Sequence, residues 1–137
     1  MGAGMPNPTP TIVAAAVIEA DGRYLITRRE KGHLEGLWEF PGGKLRPGET
    51  LPECLQRELK EELGVEVTVG EKLETVTWSY PERTVVLHFF YCRLASSQVT
   101  PYEGQAFAWV TPDELERYQF PPADASLIAR LRNPQRR

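Results

Sequence analysis

Apolar positions along this chain follow two rhythms, and each predicts a different element. From Thr11 to Ala20, TIVAAAVIEA is almost continuously apolar, the pattern of a strand buried on both faces. Asp21 and Gly22 suit a tight hairpin turn, and RYLITRR, Arg23 to Arg29, supplies a second strand. EKGHLEG predicts a polar loop, and LWEF a short apolar segment stopped by PGG. Leu51, Leu55, Leu59 and Leu63 then recur every four residues, forming one apolar stripe on a helix. Thr50 with Glu53 reads as a capping box, Pro52 lies in the tolerated first turn, and Gly64 closes the far end.

Strand-like segments follow at Val65 to Val69, Leu73 to Tyr80, Thr84 to Leu94 and Phe107 to Val110, with PER as a turn. A second capping box, Thr111 with Glu114, opens a short helix in PDELERY. A last helix is expected over Ala125 to Arg132, with Leu127, Ile128 and Leu131 facing inward. Mixed strands with three helices predict an α+β domain, an α/β/α sandwich with a mixed β-sheet between helices. Residues 1–10 are expected to be a flexible leader, 11–132 one domain, and 133–137 a frayed basic tail.

Composition narrows the class. At 137 residues the chain suffices for a core without metal or disulfide staples. A formal net charge of -3 argues against stable nucleic-acid or membrane-surface binding, which usually shows as a basic surplus. No apolar run is long enough to span a bilayer, and the N-terminus lacks signal-peptide character. Cys54 and Cys92 have no metal-knuckle spacing and read as reduced thiols, so a cytoplasmic location is expected.

The leucine helix also carries chemistry. At about 100° per residue, Glu58, Glu61 and Glu62 fan over roughly 100° of its surface beside the leucine stripe. Like charges three and four positions apart repel. Arg57 can pair with Glu61, which leaves carboxylates without a counterion. Two readings follow from the residues alone: a solvated acidic face, or ligands for a hard divalent cation that takes oxygen donors and substrate phosphates. The glycine turn before the helix permits close backbone approach to the same ion.

Gly43, Glu49 and RELKEELGV match every fixed position of the box G-x5-E-x7-R-E-U-x-E-E-x-G-U, where U is aliphatic, here Leu59 and Val65. In this the chain resembles the Nudix hydrolases. The likeness extends from about Thr11 to Arg132 through LITRRE, WEFPGGK, YPERTVVLHFF, YEGQ and FPPAD, and is strongest to the MutT-like members. It implies the Nudix fold and Mg²⁺, or Mn²⁺, as cofactor. The implied substrate is a nucleoside triphosphate, above all 8-oxo-dGTP, which the family cleaves to 8-oxo-dGMP and pyrophosphate in sanitising the nucleotide pool.

Site residues carry over by position. Glu58, Glu61, Glu62 and Glu103 are implied metal ligands, together with the carbonyl of Gly42. Glu58 is the leading base and Glu103 the second. Arg57 orients the glutamates, and Glu49 positions the loop, with Gly43 and Gly64 structural in the motif. On the substrate side the resemblance implies Arg29, His33, Glu39, Phe40, Pro41, Gly42, Lys44, Arg83 and Asp124. The implied reaction is substitution at phosphorus, at the β position, by a metal-activated water.

One position departs from the MutT-like pattern. After FPPA the family has an asparagine that reads the base edge; this chain has Asp124. An ionised aspartate only accepts hydrogen bonds, which suits the exocyclic amine of cytosine. Nudix members acting on CTP and 5-substituted dCTP are therefore the alternative, and a plain helix cap is the structural one. A non-catalytic domain that reads oxidised guanine, as in adenine glycosylases, is the third possibility, although such domains usually lack the full acidic box. Nothing in the sequence distinguishes a monomer from a dimer.

Overall fold

A computed structural model of the chain describes residues 9–95 and 98–133. The expected leader and tail lie mostly outside this range. The strands are β1 (Thr11–Ala20), β2 (Arg23–Arg28), β3 (Trp38–Glu39), β4 (Gly42–Lys44), β5 (Val67–Tyr80), β6 (Arg83–Leu94) and β7 (Phe107–Val110). Helix α1 spans Leu51–Leu63 and α2 spans Ala125–Arg132. Strand order is β3-β2-β1-β6-β5, with β4 paired to β1 and β7 to β2. β1 runs parallel to β6 from Thr11↔Val85 to Ile18↔Cys92, and the other pairings are antiparallel, so the sheet is mixed.

β1 explains the layers. Ala14, Ala16 and Ile18 enter one core with Leu55, Leu59 and Leu63 of α1. The alternate residues Ala15 and Val17 enter a second core with Leu127 and Leu131 of α2. Period-two alternation therefore serves two apolar faces, as the continuous apolar run predicts. Burying Leu55, Leu59 and Leu63 of α1 contributes about 1.5–3 kcal/mol each. The α1 capping box is formed in both directions, and Gly64 closes the helix at φ 65°. Asp21 and Gly22 both take positive φ, 52° and 76°, as a tight hairpin turn favours.

Three expectations change. The two segments expected at Val65 to Val69 and Leu73 to Tyr80 are one strand, β5, with register shifts between Val69 and Lys72 and between Lys72 and Glu74. Inserted residues bend a strand without ending it. PGG does not simply stop a strand: Gly42 and Gly43 enter β4 against Ala15 and Ala14. A side chain at Gly42 would stand 2.0 Å from the Ala14 carbonyl oxygen, so only glycine permits this approach. The helix opened by Thr111 has its capping box, but Pro112–Arg117 is 3-10, as is a further turn at Pro122–Asp124.

Candidate active site

The acidic helix face and the glycine strand meet directly. Glu58 packs on β4 so closely that a Cβ at Gly43 would lie 1.9 Å from Glu58 Oε2. Arg57 is the organising cation. Its Nε and Nη2 grip both oxygens of Glu49, the latter at 2.9 Å, and Nη2 also donates to the Lys44 carbonyl at 3.1 Å. Nη1 stands 3.3 Å from Glu61 and 3.5 Å from Glu58. Glu49 in turn accepts from the backbone N–H of Arg46 at 2.9 Å. The bidentate Arg57 bond holds the Glu49 carboxyl at about 2, well below the carboxylate range, and raises Arg57. The motif arginine thus ties the loop before α1 to the helix itself.

Among the described residues Glu62 has no such partner. Burial pushes its carboxyl up to about 8, and Glu58, Glu39 and Glu103 add repulsion that Arg29 only partly offsets. Burial also raises Glu58, against the pull of Arg57, with Glu61 adding repulsion. Glu103 reaches this neighbourhood because residues 100–105 dock on the end of α1: the N–H groups of Thr100 and Tyr102 donate to the carbonyls of Leu63 and Glu62 at 2.8 and 3.0 Å. The ring of Tyr102 covers Gly64, where a Cβ would stand 2.9 Å from the Tyr102 hydroxyl. Among the described residues no three acidic, histidine or cysteine side chains converge as a complete ion cage. Arg57 draws Glu61 outward, and that carboxylate is half exposed.

A second cluster adjoins the first through Arg29 and Glu39, which also act on Glu62. Arg29 pairs with Glu39 at 2.7 Å. Asp124 is buried beside them and makes no helix-cap hydrogen bond, so the capping role is excluded. Burial and the nearby Glu39 push its carboxyl up to about 7, while Arg29 pulls it back. Burial and Asp124 also raise the Tyr80 phenol. His33 sets its ring edge-on to Tyr80, centroids 4.7 Å apart, with Nδ1 3.6 Å from Glu82.

The remaining positions divide. Phe40 is buried in the core, stacked on Phe120 and edge-on to Phe89, and Pro41 is buried beside it. Lys44 is exposed, and its carbonyl rather than its ammonium does the local bonding. Arg83 lines a shallow groove with Tyr80 and Glu82. Sequence reasoning missed Tyr80 and Tyr102 as neighbours of the site, and Cys54, whose thiol donates to the carbonyls of Gly43 and Lys44 at 3.6 and 3.4 Å. Cys54 follows Thr50 by four residues on the inner side of α1, which was the available signal; Tyr80 had none, because its position depends on pairing. Both cysteines are free and buried.

A mixed sheet with a glycine strand clamped to a carboxylate-bearing helix is the frame of this site. The chain matches the NUDIX domain over residues 13–130 and belongs to the Nudix family. It is 39% identical over 117 residues to the CTP pyrophosphohydrolase of Escherichia coli, covering 85% of this chain and 87% of that one. It is 37% identical over 123 residues to the 8-oxo-dGTP diphosphatase of Haemophilus influenzae, covering 88% and 90%. The crystal structure of a MutT protein from Methanosarcina mazei superposes with TM-score 0.84 at 26% identity, over 96% of this chain and 100% of that one. Among the described residues no helix is long and apolar enough to cross a membrane.

Proposed function

We propose that this protein is a divalent-cation-dependent nucleoside triphosphate pyrophosphohydrolase that clears modified nucleotides, with 8-oxo-dGTP its favoured substrate. The observation that carries the reaction class is the seating of the Glu58 carboxylate in the space that a Gly43 side chain would fill. Such a contact gathers hard oxygen donors, carboxylates and a glycine-strand backbone, where a polyphosphate can approach. That donor set suits Mg²⁺ or Mn²⁺. Glu58, Glu61, Glu62, Glu103 and the Gly42 carbonyl are the groups that would hold the ion, with phosphate oxygens and water supplying further ligands. When bound, the ion neutralises phosphate charge and lowers the pKa of water.

The chain's own residues do the rest. Glu58, whose basicity burial increases, takes the proton of the attacking water on Oε2, with Glu103 the second base. Attack at the β-phosphorus releases pyrophosphate and leaves the nucleoside monophosphate. Arg57, locked by Glu49, keeps Glu58 and Glu61 in place. Arg29, Arg83 and Lys44 supply cations for the nucleotide, and His33 borders its path. Glu39 and Asp124 face the base. A neutral Asp124 donates one hydrogen bond and accepts another, as the purine O6 and ring N–H require.

The specific support for a second reading, a CTP or 5-substituted dCTP pyrophosphohydrolase, is Asp124 itself. When ionised it accepts from the exocyclic amine of cytosine, and the Escherichia coli relative is named for CTP. Pyrophosphate release from 8-oxo-dGTP, dGTP, CTP and 5-methyl-dCTP with Mg²⁺ separates the readings. The highest kcat/KM is expected with 8-oxo-dGTP. A CTP preference would replace the purine assignment, and no turnover of any triphosphate would end the enzyme reading.

A further inference from the structure

The end of α2 opposite Asp124 is tied to an irregularity in β5. Lys72 pairs with Phe90 and Glu74 with Phe89, so Leu73 is an inserted residue without a partner in the ladder. The carbonyl of a bulged residue needs another donor. Arg130 provides it, donating from Nη1 to the Leu73 carbonyl. One turn earlier on the same flank of α2, Ser126 Oγ donates to Glu74 Oε2 at 3.3 Å. The Arg130 Nε is buried with no partner among the described residues, and the Leu73 carbonyl is the acceptor found for the guanidinium there. An arginine half-buried for a single carbonyl is a costly way to pack a helix. Leu127 and Leu131 already fill the apolar contact of α2 with the core.

What the latch adds is location. Apolar packing leaves a short helix free to slide by fractions of an ångström along a sheet, whereas two directed bonds to consecutive residues of β5 set its position. Asp124 stands at the first turn of that helix, and its own 3-10 turn touches β5. We propose that Arg130 and Ser126, anchored on the Leu73 bulge and on Glu74, are positioning residues for substrate selection that fix how deeply Asp124 projects into the base site. This rests on the reading of Asp124 as a base-facing group.

The test compares Arg130→Met, Arg130→Lys, Ser126→Ala, Asp124→Ala and the double variant Arg130→Met/Asp124→Ala. Each is assayed by pyrophosphate release with 8-oxo-dGTP and CTP. Arg130→Met is expected to change the ratio of the two kcat/KM values about fivefold, chiefly through KM, because the phosphate chemistry is untouched. Arg130→Lys, which keeps a donor, restores most of the ratio. Ser126→Ala shifts it in the same direction by less, and decides the matter should Arg130→Met fail to fold. In the Asp124→Ala background, which lacks a base-facing polar group, Arg130→Met changes the ratio no further, since residues acting through one group are non-additive. Equal loss on both substrates, or additive effects, would overturn the latch alone. An unchanged ratio in Asp124→Ala would overturn the base-reading role and the latch with it.

Discussion

Glu58 occupies the place of the side chain that Gly43 lacks: a Cβ there would meet Oε2 at 1.9 Å. Its neighbour Gly42 faces a different obstacle, the Ala14 carbonyl oxygen at 2.0 Å. Adjacent glycines are therefore required for different reasons, and alanine separates them. Gly43→Ala displaces a flexible carboxylate, so turnover should collapse while the thermal midpoint falls only slightly. Gly42→Ala pushes apart paired backbones and should lower stability by about 1–3 kcal/mol or more. Thermal unfolding alongside pyrophosphate release checks both, and full activity in Gly43→Ala would remove Glu58 from the mechanism.

Glu62→Gln should abolish turnover and leave the fold intact. Burial and its acidic neighbours raise the Glu62 carboxyl to about 8, so the folded state disfavours the charge and the neutral amide relieves that penalty. Without divalent cation the variant should be at least as stable as the parent at neutral pH. Retained activity would refute the ligand role.

Glu49→Gln tests the clamp. Glu49 stands outside the carboxylate fan in sequence, yet it holds Arg57 through two hydrogen bonds. Loss of its charge should release Arg57 and misorient Glu58 and Glu61, lowering activity about 10–100-fold, the range typical of partners that orient ligands. Added Mg²⁺ at high concentration should recover part of the rate if the defect is in the ligands' placement. A rate within twofold of the parent would show that Glu49 is dispensable.

Asp124 predicts a pH dependence of stability with a definite sign. Its folded value, about 7, lies above the unfolded reference of 3.8, so folding favours the protonated form. Its favourable contribution is present at low pH and is lost as pH rises from about 4 to 7. Asp124→Asn has no proton to lose. Its stability relative to the parent should therefore increase over that interval and level off above it, by a few kcal/mol at most. Thermal midpoints of both proteins at pH 4, 5.5, 7 and 8 measure it, and a constant difference would mean that the carboxyl is not raised.

The helix that carries the candidate carboxylates was legible beforehand because its signals are local. Arg57, Glu58, Glu61 and Glu62 occupy one helix whose caps, Thr50 with Glu53 and Gly64, are themselves sequence signals. Helical geometry then places the carboxylates without reference to the rest of the chain. The β5 bulges were less visible: Gly70 and Glu71 look like a break between two strands, and only pairing with β6 shows one strand continuing through. Likewise WEFPGGK reads as a strand and a turn until β1 recruits Gly42 and Gly43 into the sheet.

The sequence by itself determined the layered fold, through the alternation of β1 and the leucine period of α1, and the reaction class, through its match to every fixed position of the Nudix box rather than through carboxylate spacing alone. Tertiary structure decided what surrounds Asp124. Arg29, Glu39, Tyr80 and Asp124 come from separate elements, and neither spacing nor composition brings them together. The character of Asp124 is tertiary as well: as a helix cap it would remain an ordinary surface acid, whereas burial beside Glu39 makes it a group that can present a proton or a charge. Spacing along one helix is a covalent consequence, while desolvation depends on everything that packs around a residue.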